Sequence, residues 1–402
     1  MRMPVLLPSV LALMTGSARA ATPDPQDWDA VLAEARGQTV YFHAWAGDPQ
    51  INGFIVWAGE QLQAQFGVTL QHVKIGDTAE SVSRIVAERM AGNEEQGSAD
   101  LLWVNGENFA ALKASDLLFG PFAESLPNFA LVEAERFPEM REDFTIPVEG
   151  YESPWTRSKL VFYHDAALLP EPPHSMPALL AWSVANPGRF TYPRPPDFLG
   201  STFLKQALLE LAGDSAALYK AVDPARFDEV SAPLWAFLDA LHPTLLRSGR
   251  SFPGNGGELR RMLGDGEIVL AFSFSPAEAS AGILAGELPP SVRTYVPSGG
   301  SIGNVSFLAI PFNAPAKAGA MVAANYLLSP EAQARAYAPE VMGSTTVLSM
   351  AALNPEDRER FARIDPGVAT LPPEALGVSL REPHPTWMEA LEQAWLARYG
   401  AR

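Results

Sequence analysis

The chain has 402 residues, a net charge of -17, no cysteine and an aromatic fraction of 10%. The lack of cysteine excludes disulfides, thiolate metal centres and thiol catalysis. The acidic balance, unbroken by any Lys/Arg run, speaks against binding to nucleic acid phosphates or an anionic lipid surface, and the length suits two domains or one fold with two lobes.

Residues 1–20 read as a secretory signal peptide: Arg2, an apolar run from Val5 to Met14, then Ala18-Arg19-Ala20, with cleavage expected before Ala21. The run is far shorter than the roughly 20 apolar residues a spanning helix needs, and Pro8 interrupts it. Trp28 to Ala35 predicts a helix and Thr39 to Phe42 a short buried strand. Gly47, Asp48 and Pro49 then end the strand and introduce a helix carrying Ile51, Ile55 and Leu62. Gly67 stops that helix, Val68 to Ile75 predicts a second strand, and Asp77 with Glu80 resembles a capping box ahead of Val82, Ile85, Val86 and Met90. Asp100 to Val104 predicts a third strand, closed by the polar loop Asn105-Gly106-Glu107-Asn108. Three consecutive strand-helix units predict a parallel sheet covered on both faces, with ligands at the carboxyl ends of its strands.

The middle third is broken by prolines between Pro170 and Pro196, which predict turns between short elements. Leu204 to Leu211 and Leu234 to Leu241 predict helices; Glu267 to Phe272 and Ser306 to Ile310 predict buried strands.

The segments Asn325-Tyr326-Leu327-Leu328-Ser329-Pro330-Glu331-Ala332-Gln333, Lys159 to Asp165 and Leu112 to Leu118 occur in an order that resembles the periplasmic solute-binding proteins of ABC importers. The group is the one that includes the maltose, polyamine, thiamine and ferric-ion binders. The stretches FHAWAGDPQINGFI, DLLWVNGENFAALK and LLFGPFAESLPN are most similar to its YnjB-like branch. The resemblance implies an α/β protein with the two-lobed periplasmic binding protein fold of type II, a ligand cleft lying between lobes joined by crossover segments. It implies lobe 1 at 21–152 and 267–312 and lobe 2 at 153–266 and 313–402, with crossings near Tyr151 to Arg157, Gly264 to Glu267 and Pro311 to Pro315. It also implies a periplasmic monomer that captures a small molecule and hands it to the membrane permease of an ABC importer, with no cofactor, no metal and no catalysis.

Candidate ligand contacts lie just beyond the expected strands or on the crossovers. Trp45 follows the first strand and offers an aromatic face to a ring or a cation, although it could equally pack under its loop. Asn105 and Glu107 follow the third strand, where a helix cap explains Asn105 as well as a ligand does. Glu152 and Trp155 sit on the expected first crossover, where a carboxylate beside an indole suits a cationic amine or a hydroxyl-rich ring. Tyr192 and Asp197 follow a strand of the second lobe, and Gly200-Ser201-Thr202 could open a helix toward an anionic group or simply start it. Ser273 ends a returning strand, and Asn304 closes the flexible segment that begins at Gly299.

No nucleophile elbow, HExxH helix, P-loop or nucleotide fingerprint occurs, and the six histidines show no metal-ligand spacing. The ligand expectation is a small organic cation of thiamine-like or polyamine-like character, with a sugar or polyol as the alternative. Ferric ion is disfavoured because the chain has no adjacent tyrosine pair. A periplasmic sensor or scaffold, and a cryptic enzyme whose residues converge only in the fold, are the readings from other classes.

Overall fold

A computed structural model describes residues 23–400 apart from Asp214; the expected signal peptide lies outside the described residues. Helix α1 (Trp28–Ala35) leads into β1 (Thr39–Trp45), α2 (Pro49–Phe66), β2 (Thr69–Ile75), α3 (Thr78–Met90), β3 (Leu101–Val104) and α4 (Glu107–Ala114). The local chemistry at the ends of these elements explains their bounds. Asp48 caps α2 by accepting from the N–H groups of Gln50 and Ile51, Pro49 opens it, and Gly67 closes it at φ 69°. Asp77 and Glu80 form the expected capping box on α3.

Strand β1 runs three residues further than the sequence predicts, because β2 stays in parallel register with it as far as Trp45 opposite Ile75. The sheet is also mixed rather than all parallel. After a short hairpin of β4 (Glu142–Asp143) and β5 (Ile146–Pro147), β6 (Glu152–Lys159) joins the sheet antiparallel to β10 (Ser301–Ala309), which is itself antiparallel to β3. With β11 (Thr345–Thr346) the strand order is β11-β6-β10-β3-β1-β2, and β12 (Ser379–Leu380) adds to the start of β10.

A second, smaller sheet holds β7 (Val161–Asp165) between β8 (Leu270–Ser273) and β9 (Val292–Tyr295). Around it lie α5 (Met176–Ala185), α6 (Phe198–Leu211), α7 (Phe227–Leu241), α8 (Gly256–Gly264) and α9 (Glu278–Leu284). The returning chain supplies α10 (Lys317–Leu327), α11 (Pro330–Tyr337) and α12 (Pro355–Ala362), and the chain ends in α13 (Pro385–Tyr399).

Two separate hydrophobic cores follow from the two sheets, one centred on Phe42, Phe54, Trp155 and Phe307, the other on Phe162, Phe203, Leu238 and Trp395. Each lobe therefore buries its own apolar surface. The family-like segment at 329–333 has a structural task. Ser329 caps α11, and buried Gln333 donates to the carbonyls of Trp155 and Leu327 and accepts from Thr346 and Val347, tying α10, α11, β6 and β11 together.

The crossings lie elsewhere than expected. Tyr151 to Arg157 enter lobe 1's sheet through β6, and the chain passes to lobe 2 at Lys159-Leu160, where β6 gives way to β7. Gly264 to Glu267 do not cross, since β8 pairs with β7 inside the small sheet; the return comes at 296–301. Pro311 to Pro315 stay in lobe 1, where Phe312 and Ala314 pack on its core, and the last crossing falls between Ile364 and Ala369. The boundaries expected at 152, 266 and 312 thus move to these three places. The first crossing joins β6 directly to β7, whereas the second and third fall in irregular stretches holding Pro297, Gly299 and Gly300, and Pro366 and Gly367.

Candidate functional site

The carboxyl ends of β1 and β3 face the second lobe, and the residues there are held by local hydrogen bonds. Trp45 ends β1 with 38% of its surface exposed, its ring edge-on to Trp103 at 6.4 Å. A Cβ on Gly47 would lie 2.1 Å from the Trp45 ring, so a residue without a side chain is needed beside the indole. The next loop is fixed by Thr78, whose hydroxyl donates to the Trp103 carbonyl at 3.1 Å.

Beyond β3, half-buried Asn105 is followed by Gly106 at φ 62°, and Glu107 is the first residue of α4 rather than part of a loop. The Asn108 amide donates to Glu107 at 3.0 Å. The Gly106 N–H donates to Asp143 at 2.6 Å, and a Cβ there would press on the Phe144 ring at 3.0 Å. Phe144 and Thr145 form the turn between β4 and β5 with φ of 44° and 71°, left-handed values uncommon for such residues. That strained turn carries the Phe144 ring out of lobe 1 to the ammonium of Lys205 on α6 of lobe 2, 4.6 Å away.

Lys205 is itself buried. Its Nζ donates to Glu382 at 2.7 Å and lies 5.4 Å from the Phe198 ring. Asn304 donates to the other oxygen of Glu382 at 3.1 Å, and Ser201 on α6 donates to Glu392 on α13 at 2.5 Å. The seam between the lobes is thus built from α4, the β4–β5 turn, α6, β10 and the segment leading into α13.

Electrostatically the seam is acidic. Burial pushes Glu107 up to about 7, with its own backbone N–H and Lys205 pulling the other way and Glu392 and Asp77 adding to the rise. Asp143 is held well above the usual carboxylate range by burial, against the Gly106 N–H, with Glu107 and Glu382 adding. Glu152, 1% exposed at the start of β6, is raised likewise by burial and then by Asp143, and neither of its oxygens has a hydrogen-bond donor among the described residues. Burial also raises Glu382 and Glu392. Four carboxylates, those of Glu107, Asp143, Glu382 and Glu392, therefore act on one buried ammonium, with Glu152 behind Asp143.

Of the sequence-derived candidates, Glu107, Glu152 and Asn304 belong to this group, and Trp45 and Asn105 lie at the strand ends beside it. Four others are placed differently. Trp155 is wholly buried in the core of lobe 1 among Phe42, Phe54 and Trp103, so the expected pairing with Glu152 on a hinge is corrected. Tyr192 is wholly buried in lobe 2, its hydroxyl bonded to His242 at 2.7 Å and to the Trp395 indole at 2.8 Å. Asp197 caps α6 by accepting from Leu199 and Gly200. Ser273 ends β8 and accepts from the Ser275 N–H at 3.0 Å. Asn304 lies within β10, not in a flexible segment.

Asp143, Phe144, Lys205 and Glu382 carry the group and were missed. A signal for Lys205 was present: it is the one charged residue among the buried positions of α6. A concavity of about 700 Å³ lies away from the seam, between α2 and the open edge of β2, lined mainly by Ile55, Val56, Gly59 and Leu70 together with Glu60, His72 and Lys74. It gathers none of the candidates, so size alone does not mark the site.

Residues 57–362 match the family model described as bacterial extracellular solute-binding protein. Protein YnjB of Escherichia coli strain K12 is 45% identical over 374 residues, 93% of this chain and 94% of that one. Among solved structures, the periplasmic binding protein AfuA from Actinobacillus pleuropneumoniae, with exogenous fructose-6-phosphate bound, superposes with a TM-score of 0.63 at 13% identity, covering 91% of this chain and 99% of that one. The spermidine/putrescine substrate-binding protein PotD from Streptococcus pneumoniae superposes at 0.58 with 18% identity, covering 90% and 99%. The apo ferric ion-binding protein A of Pasteurella haemolytica does so at 0.60 with 13% identity, covering 90% and 98%. At these identities the structural likenesses establish the fold alone.

Proposed function

Because the chain belongs to the bacterial extracellular solute-binding proteins, we propose that the solute it captures is a small organic cation, held at the seam between the lobes and passed to an ABC permease. The observation that carries this reading is the excess of buried carboxylate over ammonium. Lys205 donates to Glu382, while one oxygen of Asp143 and both oxygens of Glu152 have no hydrogen-bond donor among the described residues. A buried carboxylate gains more from an arriving cation than an exposed one does, since water screens the pair less. The rings of Phe144, Phe198 and Trp45 add faces on which an ammonium or a heteroaromatic ring can rest.

In this reading the protein is a periplasmic carrier and turns nothing over. No helix among the described residues is long and apolar enough to cross a membrane. Negative charge over the whole molecule favours the approach of cations and disfavours phosphate esters.

A thermal-shift panel of amines, quaternary ammonium compounds, neutral sugars and sugar phosphates tests the assignment. A cation present at about 100 times its Kd should stabilise the fold by roughly 2.7 kcal/mol, and Asp143→Asn should remove most of the shift. Stabilisation by a neutral sugar or a sugar phosphate, undiminished in Asp143→Asn, would overturn the cation reading.

A further inference from the structure

Three carboxylates form a row from the seam into lobe 1. Glu107 stands at the start of α4, Asp143 on β4 is 1% exposed, and Glu152 at the start of β6 is equally buried. Asp143 accepts one hydrogen bond, from the Gly106 N–H, and its other oxygen has no donor among the described residues. Both oxygens of Glu152 are in that condition. The cations nearest the row are committed elsewhere: Lys205 to Glu382 and the Phe144 ring, Lys113 to Glu149 at 2.8 Å and to the Pro147 carbonyl. The other charged groups facing the row are Glu382, Glu392 and Asp77, all of the same sign as the row. Three neighbouring carboxylates, two of them almost wholly buried and with few donors to share, cannot all be ionised at once.

We propose, resting on the cation reading above, that capture is an exchange in which the ligand's positive group replaces a proton shared along Glu107, Asp143 and Glu152. On binding, a carboxyl O–H bond breaks and its proton passes to the buffer. The carboxylate left behind accepts a charge-assisted hydrogen bond or ion pair from the ligand. The charge of the site is unchanged, one proton leaving for one positive group arriving. Such an exchange makes the carboxylate row tolerable when empty and attractive when a cation arrives, and it disfavours neutral ligands, which have no charge to trade.

The pH dependence follows with a definite sign. Glu107 titrates at about 7 in the empty site because burial disfavours its charged form. Below that pH the ligand must displace a proton, so affinity rises by up to roughly tenfold per pH unit for each proton released, then levels off above it. Because the row is coupled, the proton count belongs to the group and not to one residue.

The test uses the purified chain with putrescine, choline and thiamine as probes. Calorimetry at about pH 6, 7 and 8, in two buffers of different ionisation heat, counts the protons released per ligand. Infrared spectroscopy of the empty protein at neutral pH reports a protonated carboxyl group directly. The expected result is a carboxylic-acid band that disappears when a probe binds, release of about one proton per ligand near pH 6, and affinity that rises with pH. Glu107→Gln should flatten the pH profile and lower the proton count, and Glu152→Gln should weaken the infrared band. If a probe binds with no proton release and no spectral change, the exchange is wrong while the cation reading stands. Absence of the band in the empty protein would likewise refute the exchange without reference to any ligand. If the band is present and no probe binds, the cation reading fails and takes the exchange with it.

Discussion

At the scale of single residues, the Lys205–Glu382 pair decides how the seam is held. The two side chains are 1% and 2% exposed and 2.7 Å apart, so neither charge is repaid by water. Lys205→Met should therefore cost about 3 kcal/mol of stability by urea denaturation, because it strands a buried carboxylate. Burial already holds Glu382 above its ordinary range, with Lys205 opposing the shift. A carboxyl raised in the folded state contributes stability at low pH that is lost as pH rises through its folded value, so the penalty should be larger at pH 8 than at pH 5. Lys205→Met with Glu382→Leu should recover most of the loss, and a double variant as weak as the single would contradict the pair as described. This pair was only half legible in the sequence. A lone lysine among the apolar positions of α6 was a visible signal, whereas its partner lies 177 residues away in an irregular segment, where no periodicity points to it. Glu107 was legible because it follows the third strand, whereas Glu152 was singled out for a crossover that lies elsewhere and stands instead at the start of β6. Trp155 was misplaced because β6 is buried on both sides, and a strand of that kind shows no alternation to say which way its indole turns.

At the scale of elements, the joint made by Gln333 carries the clearest consequence. One buried amide satisfies the carbonyls of Trp155 and Leu327, the Thr346 hydroxyl and the Val347 N–H, groups drawn from β6, α10 and the end of β11. Gln333→Ala should cost at least about 2 kcal/mol, since each buried polar group left unpaired costs roughly 1 to 3. Its chemical denaturation midpoint should fall accordingly, while Glu331→Ala, two residues earlier and exposed, should move it little; equal effects would show that the joint contributes nothing special. The segment's existence and its helix start were readable from Ser329-Pro330, but its purpose was not, because the partners come from β6 and β11. The capping box on α3 and the stop at Gly67 were readable because caps are local chemistry. The antiparallel entry of β10 and β6 was not, since pairing between strands some 150 residues apart leaves no mark on either one.

At the scale of the whole molecule, the two-lobed α/β architecture was legible from the order of strand-helix units and the family-like segments, while the places where the chain changes lobe were not. The first crossing, at Lys159-Leu160, joins two strands directly and carries no turn signal, whereas the other two fall in glycine- and proline-bearing stretches, 296–301 and 364–369, that could not be told from the many other turns of the chain. The charged group at the seam depends on the two lobes being assembled, because only then do Asp143 and Phe144 from one lobe meet Lys205 and Glu382. The central claim is that the assembled seam selects positive charge. Native mass spectrometry of the purified chain, equilibrated with an equimolar mixture of putrescine, choline, thiamine, maltose and fructose-6-phosphate, tests it most directly. The account predicts that the retained species is one of the cations and that Asp143→Asn releases it; retention of the sugar or the sugar phosphate in place of every cation would contradict it.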